Sequence, residues 1–180
     1  MERIIYNRLM LHLHSFEGLS SFQSAYRQFH SVETALIKIQ NDLLLALDKK
    51  KISALVLLDL TAAFDTVDHS ILISRLNRNF GISDSALSLL SSYLSNRTQS
   101  VNVNGHVSVA SLVTTGVPQG SVLEPLLFSL YITPLTYHLN ASNISFHLYA
   151  DDTQLYISFS TADCSVALQH LSHTLDAVHN

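Results

Sequence analysis

Three aspartates are the residues best suited to chemistry. Asp59 stands near the end of the almost wholly apolar run Ile52-Ser-Ala-Leu-Val-Leu-Leu-Asp-Leu60, and Asp151-Asp152 sit together where two alternating segments must turn. A carboxylate near the end of a hydrophobic strand is costly unless it is paired, hydrogen-bonded or bound to a cation. Two neighbouring aspartates in a tight turn repel each other, and a divalent ion relieves that repulsion. Should the turn pair beside the 52–60 run, three carboxylates converge at one sheet edge. Two ions held about 3.5–4 Å apart activate an attacking oxygen and stabilise a leaving one, which is phosphoryl-transfer chemistry. The plain alternative stands beside this: aspartate is a favoured turn residue, and an Asp-Asp turn needs no metal. Asp65 and Asp68 could join the cluster, although Asp68 reads better as a helix cap.

Other chemistries find less support. Ten histidines suggest zinc, but His12 and His14 are two apart and share no helical face, and no cysteine stands nearby. There is no P-loop, no Gly-Xaa-Ser-Xaa-Gly elbow and no Cys/His nucleophile arrangement.

The elements that must position the aspartates can be read from periodicity. Residues 1–13 and 31–48 have helical spacing, the second through Val32, Leu36, Ile39, Leu43 and Leu47. Ser31 is placed to cap that helix, with Glu33 favourable in its first turn. The continuous apolar character of 52–60 predicts a strand buried on both faces. A short helix is expected from Asp68 to Asn77. Another follows, with Ser83 as N-cap and Ile82 stapled against Leu87. Ser-Val-Asn-Val and His-Val-Ser-Val alternate on either side of Asn104-Gly105, a type I′ hairpin signal. The loop Thr-Thr-Gly-Val-Pro-Gln-Gly-Ser121 leads into an apolar helix from about Val122, which Pro134 should end or kink. A second hairpin, 143–149 with 154–159, carries Asp151-Asp152 at its turn. The stretch from Ser165 is amphipathic through Val166, Leu168, Leu171 and Leu175. Strands and helices mix without regular βαβ alternation, so the fold class expected is α+β.

Composition bounds the rest. Of 180 residues, 47% are hydrophobic and 13% charged, too apolar for a disordered chain. So low a charge suits either a weakly charged globule or faces covered by segments outside this chain. The net charge of −4 is uneven. Residues 1–50 hold six basic and five acidic residues, and the remainder four basic and nine acidic. An acidic, cation-binding site with its basic clamp elsewhere has this balance, and so does an ordinary acidic surface. Cys164 is the only cysteine, which excludes a disulfide framework. The N-terminus has no secretory pattern and no apolar run approaches membrane-spanning length, so an intracellular, soluble setting without a membrane partner is expected.

Four segments together resemble the reverse transcriptases of non-LTR (LINE-type) retrotransposons. Leu-Leu-Asp-Leu-Thr-Ala-Ala-Phe-Asp-Thr-Val-Asp-His69 is similar to that family's first aspartate motif. Gly-Val-Pro-Gln-Gly-Ser-Val-Leu123 is similar to its template- and nucleotide-contacting loop, and Phe-His-Leu-Tyr-Ala-Asp-Asp-Thr-Gln154 to its YADD hairpin. Gln-Ser-Ala-Tyr-Arg-Gln-Phe-His-Ser-Val-Glu-Thr-Ala-Leu36 resembles the fingers segment upstream. YADD alone is a weak signal; four motifs in order, across most of residues 1–160, are specific.

The resemblance implies a polymerase palm, an antiparallel sheet backed by helices. It divides the chain into partial fingers (1–50), a palm with the motifs (51–160) and a C-terminal helix (161–180), with no thumb. It implies RNA-directed DNA synthesis on an RNA template, a DNA primer and a dNTP, with Mg2+ (Mn2+ as a substitute). Asp59 and Asp151 would hold the ions with the Leu60 carbonyl, and Asp152 would complete the acidic cluster. Phe64 would be the steric gate against a 2′-hydroxyl; on pattern alone it is core beside Ala62 and Ala63. Gln119 and Gly120 would line the nucleotide pocket, or simply form the turn before a helix. Arg27 would contact nucleotide phosphate or template, or be a solvated arginine. Tyr149 would lie near the primer end, or be an ordinary strand aromatic.

Two departures qualify the resemblance. Glu124 stands where the family motif has glycine; it can cap its helix with Ser121, yet it brings an anion near the expected path of nucleotide and template. The family's preceding arginine-bearing segment, and its following lysine motif, primer grip and thumb, are expected to lie outside this chain, so impaired activity is expected. Two rivals follow: a catalytically inactive remnant that binds nucleic acid or protein, and a metal-dependent phosphodiesterase using the same carboxylates.

Overall fold

The computed structural model describes residues 1–16 and 18–179. In chain order the elements are α1 (Glu2–His14), α2 (Val32–Asp48), β1 (Ile52–Leu58), α3 (His69–Phe80) and α4 (Asp84–Leu94). Four short strands follow: β2 (Thr98–Gln99), β3 (Asn102–Val103), β4 (His106–Val107) and β5 (Ser111–Leu112). The rest are α5 (Glu124–Ala141), β6 (Ser145–Tyr149), β7 (Asp152–Phe159), a 3-10 turn at Thr161–Asp163 and α6 (Cys164–His179). Helices and antiparallel strands mix, so the class is α+β. Among the described residues no helix is long and apolar enough to cross a membrane.

Packing divides the chain into two units, Met1–Gly18 with Ala62–Tyr131, and Leu19–Thr61 with Ile132–Asn180. This grouping cuts across the motif-based division at 50 and 160, since α2 packs with β1 and the β6–β7 hairpin while residues 62–131 cluster with α1.

In the second unit the sheet order is β1-β7-β6, antiparallel throughout. Its core includes Ile39, Leu139, Leu148, Leu155, Phe159 and Leu171. The expectation that β1 is buried on both faces is corrected: it is an edge strand, with Leu55 43% and Leu57 69% exposed. A continuous apolar run signals a strand, but no further strand of the described residues pairs with its outer edge.

Helix α2 starts as expected at Ser31, whose hydroxyl accepts from Thr34 N–H while Thr34 Oγ1 accepts from Ser31 N–H. Of the expected stripe only Ile39 is buried, joined by Ala35 and Ala46, while Val32, Leu36 and Leu47 are exposed. Small residues let the helix lie close, which leaves the long side chains at the rim. Leu36, Leu43, Leu44 and Leu47 with Ile52 and Leu55 line an open groove of about 690 Å³. Helix α6 likewise buries Ala167, Leu171 and Thr174 rather than Val166 and Leu168, which are exposed.

In the first unit, α3 begins where Asp68 accepts from Ile71 N–H at 2.9 Å. It runs three residues past the expected Asn77, because Leu72, Leu76 and Phe80 form one fully buried stripe. Ser83 precedes α4 but does not cap it by its side chain; its hydroxyl donates to the Asp84 carboxylate at 2.7 Å. Asn104 and Gly105 both have positive φ, as the β3–β4 hairpin requires. Helix α5 starts at Glu124 rather than Val122 and is not ended by Pro134. Leu126, Leu127, Phe128 and Leu130 are buried in the first unit and Ile132 and Leu139, further along the helix, in the second, and that burial outweighs a proline cost of about 3 kcal/mol.

Candidate active site

The carboxylates belong to the second unit, and register brings them together. β1 pairs with β7 from Ile52↔Phe159 to Leu58↔Thr153, so one step further sets Asp59 opposite Asp152. Residues directly opposite in an antiparallel pair share a face. Across the hairpin Tyr149 pairs with Asp152, leaving Ala150-Asp151 as the two-residue turn. Asp59 and Asp152 are exposed and Asp151 is half-buried, so Asp59 caps the end of an open strand rather than a buried one.

Electrostatics reports the same convergence. The Asp152 carboxyl is held above its ordinary value, first by burial, then by the charges of Asp151 and Asp59. Like charges that raise a proton affinity are relieved by a cation. An all-carboxylate set is chemically a site for a hard ion such as Mg2+ or Mn2+. Among the described residues, however, no three His, Cys, Asp or Glu groups are preassembled around a common point.

One supporting residue was not singled out in the sequence. Gln23 is buried, and its Oε1 accepts from the Ala150 N–H at 3.0 Å while its Nε2 donates to the Ala150 carbonyl at 3.2 Å. The only signal was its place in the fingers-like segment, four residues before Arg27. Arg27 itself donates through Nη1 to the carbonyls of Ser20 at 2.8 Å and Gln23 at 3.3 Å, within its own loop. Nearby, Ser24 Oγ and His147 Nε2 form a buried 2.8 Å hydrogen bond. Lys38 and Tyr156 both donate to the Asp42 carboxylate.

The nucleotide-loop candidates belong to the first unit. The turn after Asp59 and the 115–120 loop are stitched together. Val117 N–H donates to Phe64 O at 2.9 Å, Gly116 N–H to Val67 O at 2.8 Å, and His69 Nε2–H to Gly116 O at 2.7 Å. Gln119 Nε2 donates to Asp65 Oδ1 at 2.7 Å, so Asp65 holds the glutamine amide. A Cβ on Gly116 would lie 3.0 Å from Asp65 O, and its φ of +86° also requires glycine. Phe64 is half-buried, its ring 4.3 Å from that of Phe128. Gly120 has φ +76° and open space where a side chain would be. Its N–H is taken by Glu124 Oε2 at 2.5 Å, while Glu124 N–H donates to Ser121 Oγ at 3.0 Å. Asp65, Arg97, Thr114, Thr115 and Gln119 line a polar cavity of about 640 Å³.

Comparison with known proteins places this arrangement in a class. The chain belongs to the reverse transcriptase (RNA-dependent DNA polymerase) family, which matches residues 1–179. It is similar to a probable RNA-directed DNA polymerase from transposon BS of Drosophila melanogaster, 34% identical over 97% of this chain and 19% of that protein. It also resembles the RNA-directed DNA polymerase from the mobile element jockey of the same organism, 33% identical over 75% of this chain and 14% of that one. Both are of the non-LTR retrotransposon kind. The chain thus spans less than a fifth of either relative's length. Its fold resembles that of apo telomerase from Candida tropicalis truncated from its C-terminal domain. That likeness has a TM-score of 0.66 and 16% identity, covering 97% of this chain and 36% of that one. A telomerase from Candida albicans in complex with a fragment of telomeric RNA gives 0.62, at 15% identity over 98% and 31%.

Proposed function

We propose that this chain is the palm segment of an RNA-directed DNA polymerase, with part of the fingers in residues 1–50, and that Asp59, Asp151 and Asp152 are its metal-binding carboxylates. The observation that carries this reading is the β1–β7 register, which sets Asp59 opposite Asp152 beside the Asp151 turn. Such carboxylates would suit a pair of Mg2+ or Mn2+ ions, which when bound would supply activation of a primer 3′-hydroxyl and charge stabilisation at the leaving oxygen. Asp59 and Asp151 would hold the ions with the Leu60 carbonyl, and Asp152 would complete the negative field. Phe64, braced on Phe128, sets a bulky ring against a 2′-hydroxyl. Gln119 and Gly120 receive the dNTP in a loop held by Asp65. Arg27, a five-donor group with two bonds to its own loop, keeps donors for phosphate or template, and Tyr149 flanks the primer end.

One observation favours the reading of a catalytically inactive remnant: the Glu124 carboxylate already takes the Gly120 N–H. Primer extension on an RNA template separates the readings. Metal-dependent extension lost in Asp151→Ala supports the polymerase. Its absence in both the parent chain and Glu124→Gly rejects the polymerase in favour of the remnant. Nucleotide release without added dNTP marks a phosphodiesterase instead.

A further inference from the structure

We infer that Gln23 is a positioning residue for the Asp151 turn, an inference that rests on the polymerase reading given above. Ala150, immediately before Asp151, has φ +55°, a left-handed value that a non-glycine residue adopts only when its surroundings impose it. With positive φ at Ala150 and not at Asp151, the turn has the II′ pattern, whose first central position is usually glycine. Here alanine is held there by bonds instead of by its own preference.

Gln23 supplies those bonds. It is 6% exposed, and its amide meets both polar groups of Ala150, accepting at 3.0 Å and donating at 3.2 Å. Oε1 also accepts from Ala25 N–H at 2.9 Å, so two N–H donors fix the amide's orientation. The backbone around Gln23 continues the sheet. Leu148 N–H donates to Phe22 O at 2.8 Å, and Ser24 N–H donates to Leu148 O at 3.0 Å. The segment therefore lies along β6 as one parallel bridge, Gln23↔Leu148, and the amide carries the pairing past the strand's end onto the turn.

Residue type matters. Glutamate would lose the donor to Ala150 O and bury a charge; methionine would keep the volume and lose both bonds; asparagine would keep both groups on a shorter stem. Removing the amide frees Ala150 to relax toward negative φ, which swings the Asp151 carboxylate away from Asp59 and Asp152.

The test compares Gln23→Met and Gln23→Asn with Ile39→Ala, a buried change on α2 in the same unit, outside both the turn and the Gln23 segment. Three readouts are taken on the full chain: thermal midpoint, amide exchange at Ala150, and Mn2+ affinity by electron paramagnetic resonance. Gln23→Met should speed Ala150 exchange beyond the effect of Ile39→Ala at matched stability. It should also weaken Mn2+ about tenfold, as loss of a supporting bond around a metal site does. In extension assays kcat should fall more than the dNTP KM changes. Gln23→Asn should recover part of each effect, and carries the comparison if Gln23→Met does not fold. Ala150 exchange and Mn2+ affinity that merely track the midpoint, as in Ile39→Ala, overturn the inference. A parent chain with neither Asp151-dependent Mn2+ binding nor extension sinks the polymerase reading, while Ala150 exchange still decides what Gln23 does.

Discussion

The Glu124 carboxylate accepts a 2.5 Å hydrogen bond from the Gly120 N–H, the backbone donor at the end of the Gly-Val-Pro-Gln-Gly loop. The bond ties the loop to the first turn of α5. Under the proposed function, in which this loop receives the nucleotide, the same contact that steadies the helix start would compete with an incoming phosphate.

Glu124→Gly should therefore lower the dNTP KM by about tenfold, since a hydrogen bond to a charged group is worth roughly 1.5–3 kcal/mol. The same change should cost about 1 kcal/mol of stability by removing a cap and adding a flexible residue. Steady-state extension kinetics beside a urea titration measure both. An unchanged KM would show that the carboxylate excludes nothing.

Asp152 gives a metal-linked stability prediction. Its raised proton affinity means the native state holds a proton more tightly than the unfolded chain does. Protonation therefore favours the native state as pH falls through the raised value, and ionisation at neutral pH carries a cost. Asp152→Asn should raise the metal-free thermal midpoint by roughly 2 °C and shrink the further rise that Mg2+ or Mn2+ produces. Scanning fluorimetry with and without metal tests this. A lower midpoint in the metal-free variant would contradict the repulsion argument.

His147 sets a second pH dependence. Burial lowers its proton affinity first, Lys38 on α2 and His30 add to that, and Asp42 opposes them. A depressed histidine contributes stability that is present above its unfolded value near 6.5 and is lost as pH falls below it. One proton gives a slope of at most about 1.4 kcal/mol per pH unit. Urea titrations at pH 7.5 and 5.5 should show this loss in the parent chain and much less of it in His147→Gln, which keeps a polar partner for Ser24. Equal losses would assign the dependence elsewhere.

The edge strand yields a solubility prediction. Leu57 is exposed on an unpaired edge, a setting in which apolar strands associate. Leu57→Lys should leave folding stability within about 0.5 kcal/mol and reduce concentration-dependent association. Sedimentation velocity across a dilution series would read it, and a parent chain that stays monodisperse at every concentration would defeat it.

How far the sequence revealed these features depended on whether the cause was local. The β1 strand and the hairpin that carries Asp151-Asp152 were legible because an apolar strand and a turn-centred hairpin each have a local signature. The β3–β4 turn was legible because Asn-Gly alone dictates its φ values. The edge position of β1 was not, since the same apolar letters serve a central strand and an edge strand, and only the missing neighbour distinguishes them. On α2 the burial of Ile39 was legible, but that of Ala35 and Ala46 was hidden because hydrophobicity favours the leucines, whereas close approach to a sheet favours small side chains. Gln23 and Asp65 were overlooked as supports because each acts on a partner far along the chain, Ala150 and Gln119, which no periodicity links.

Gly116 has a mechanical consequence. Because its α-carbon is pressed against the Asp65 backbone with no room for even a methyl group, two stretches distant in sequence share one contact without any compressible side chain between them. With no cushion at that point, and with Gln119 bonded to Asp65, the 115–120 loop is coupled through backbone contact to the turn that carries Phe64.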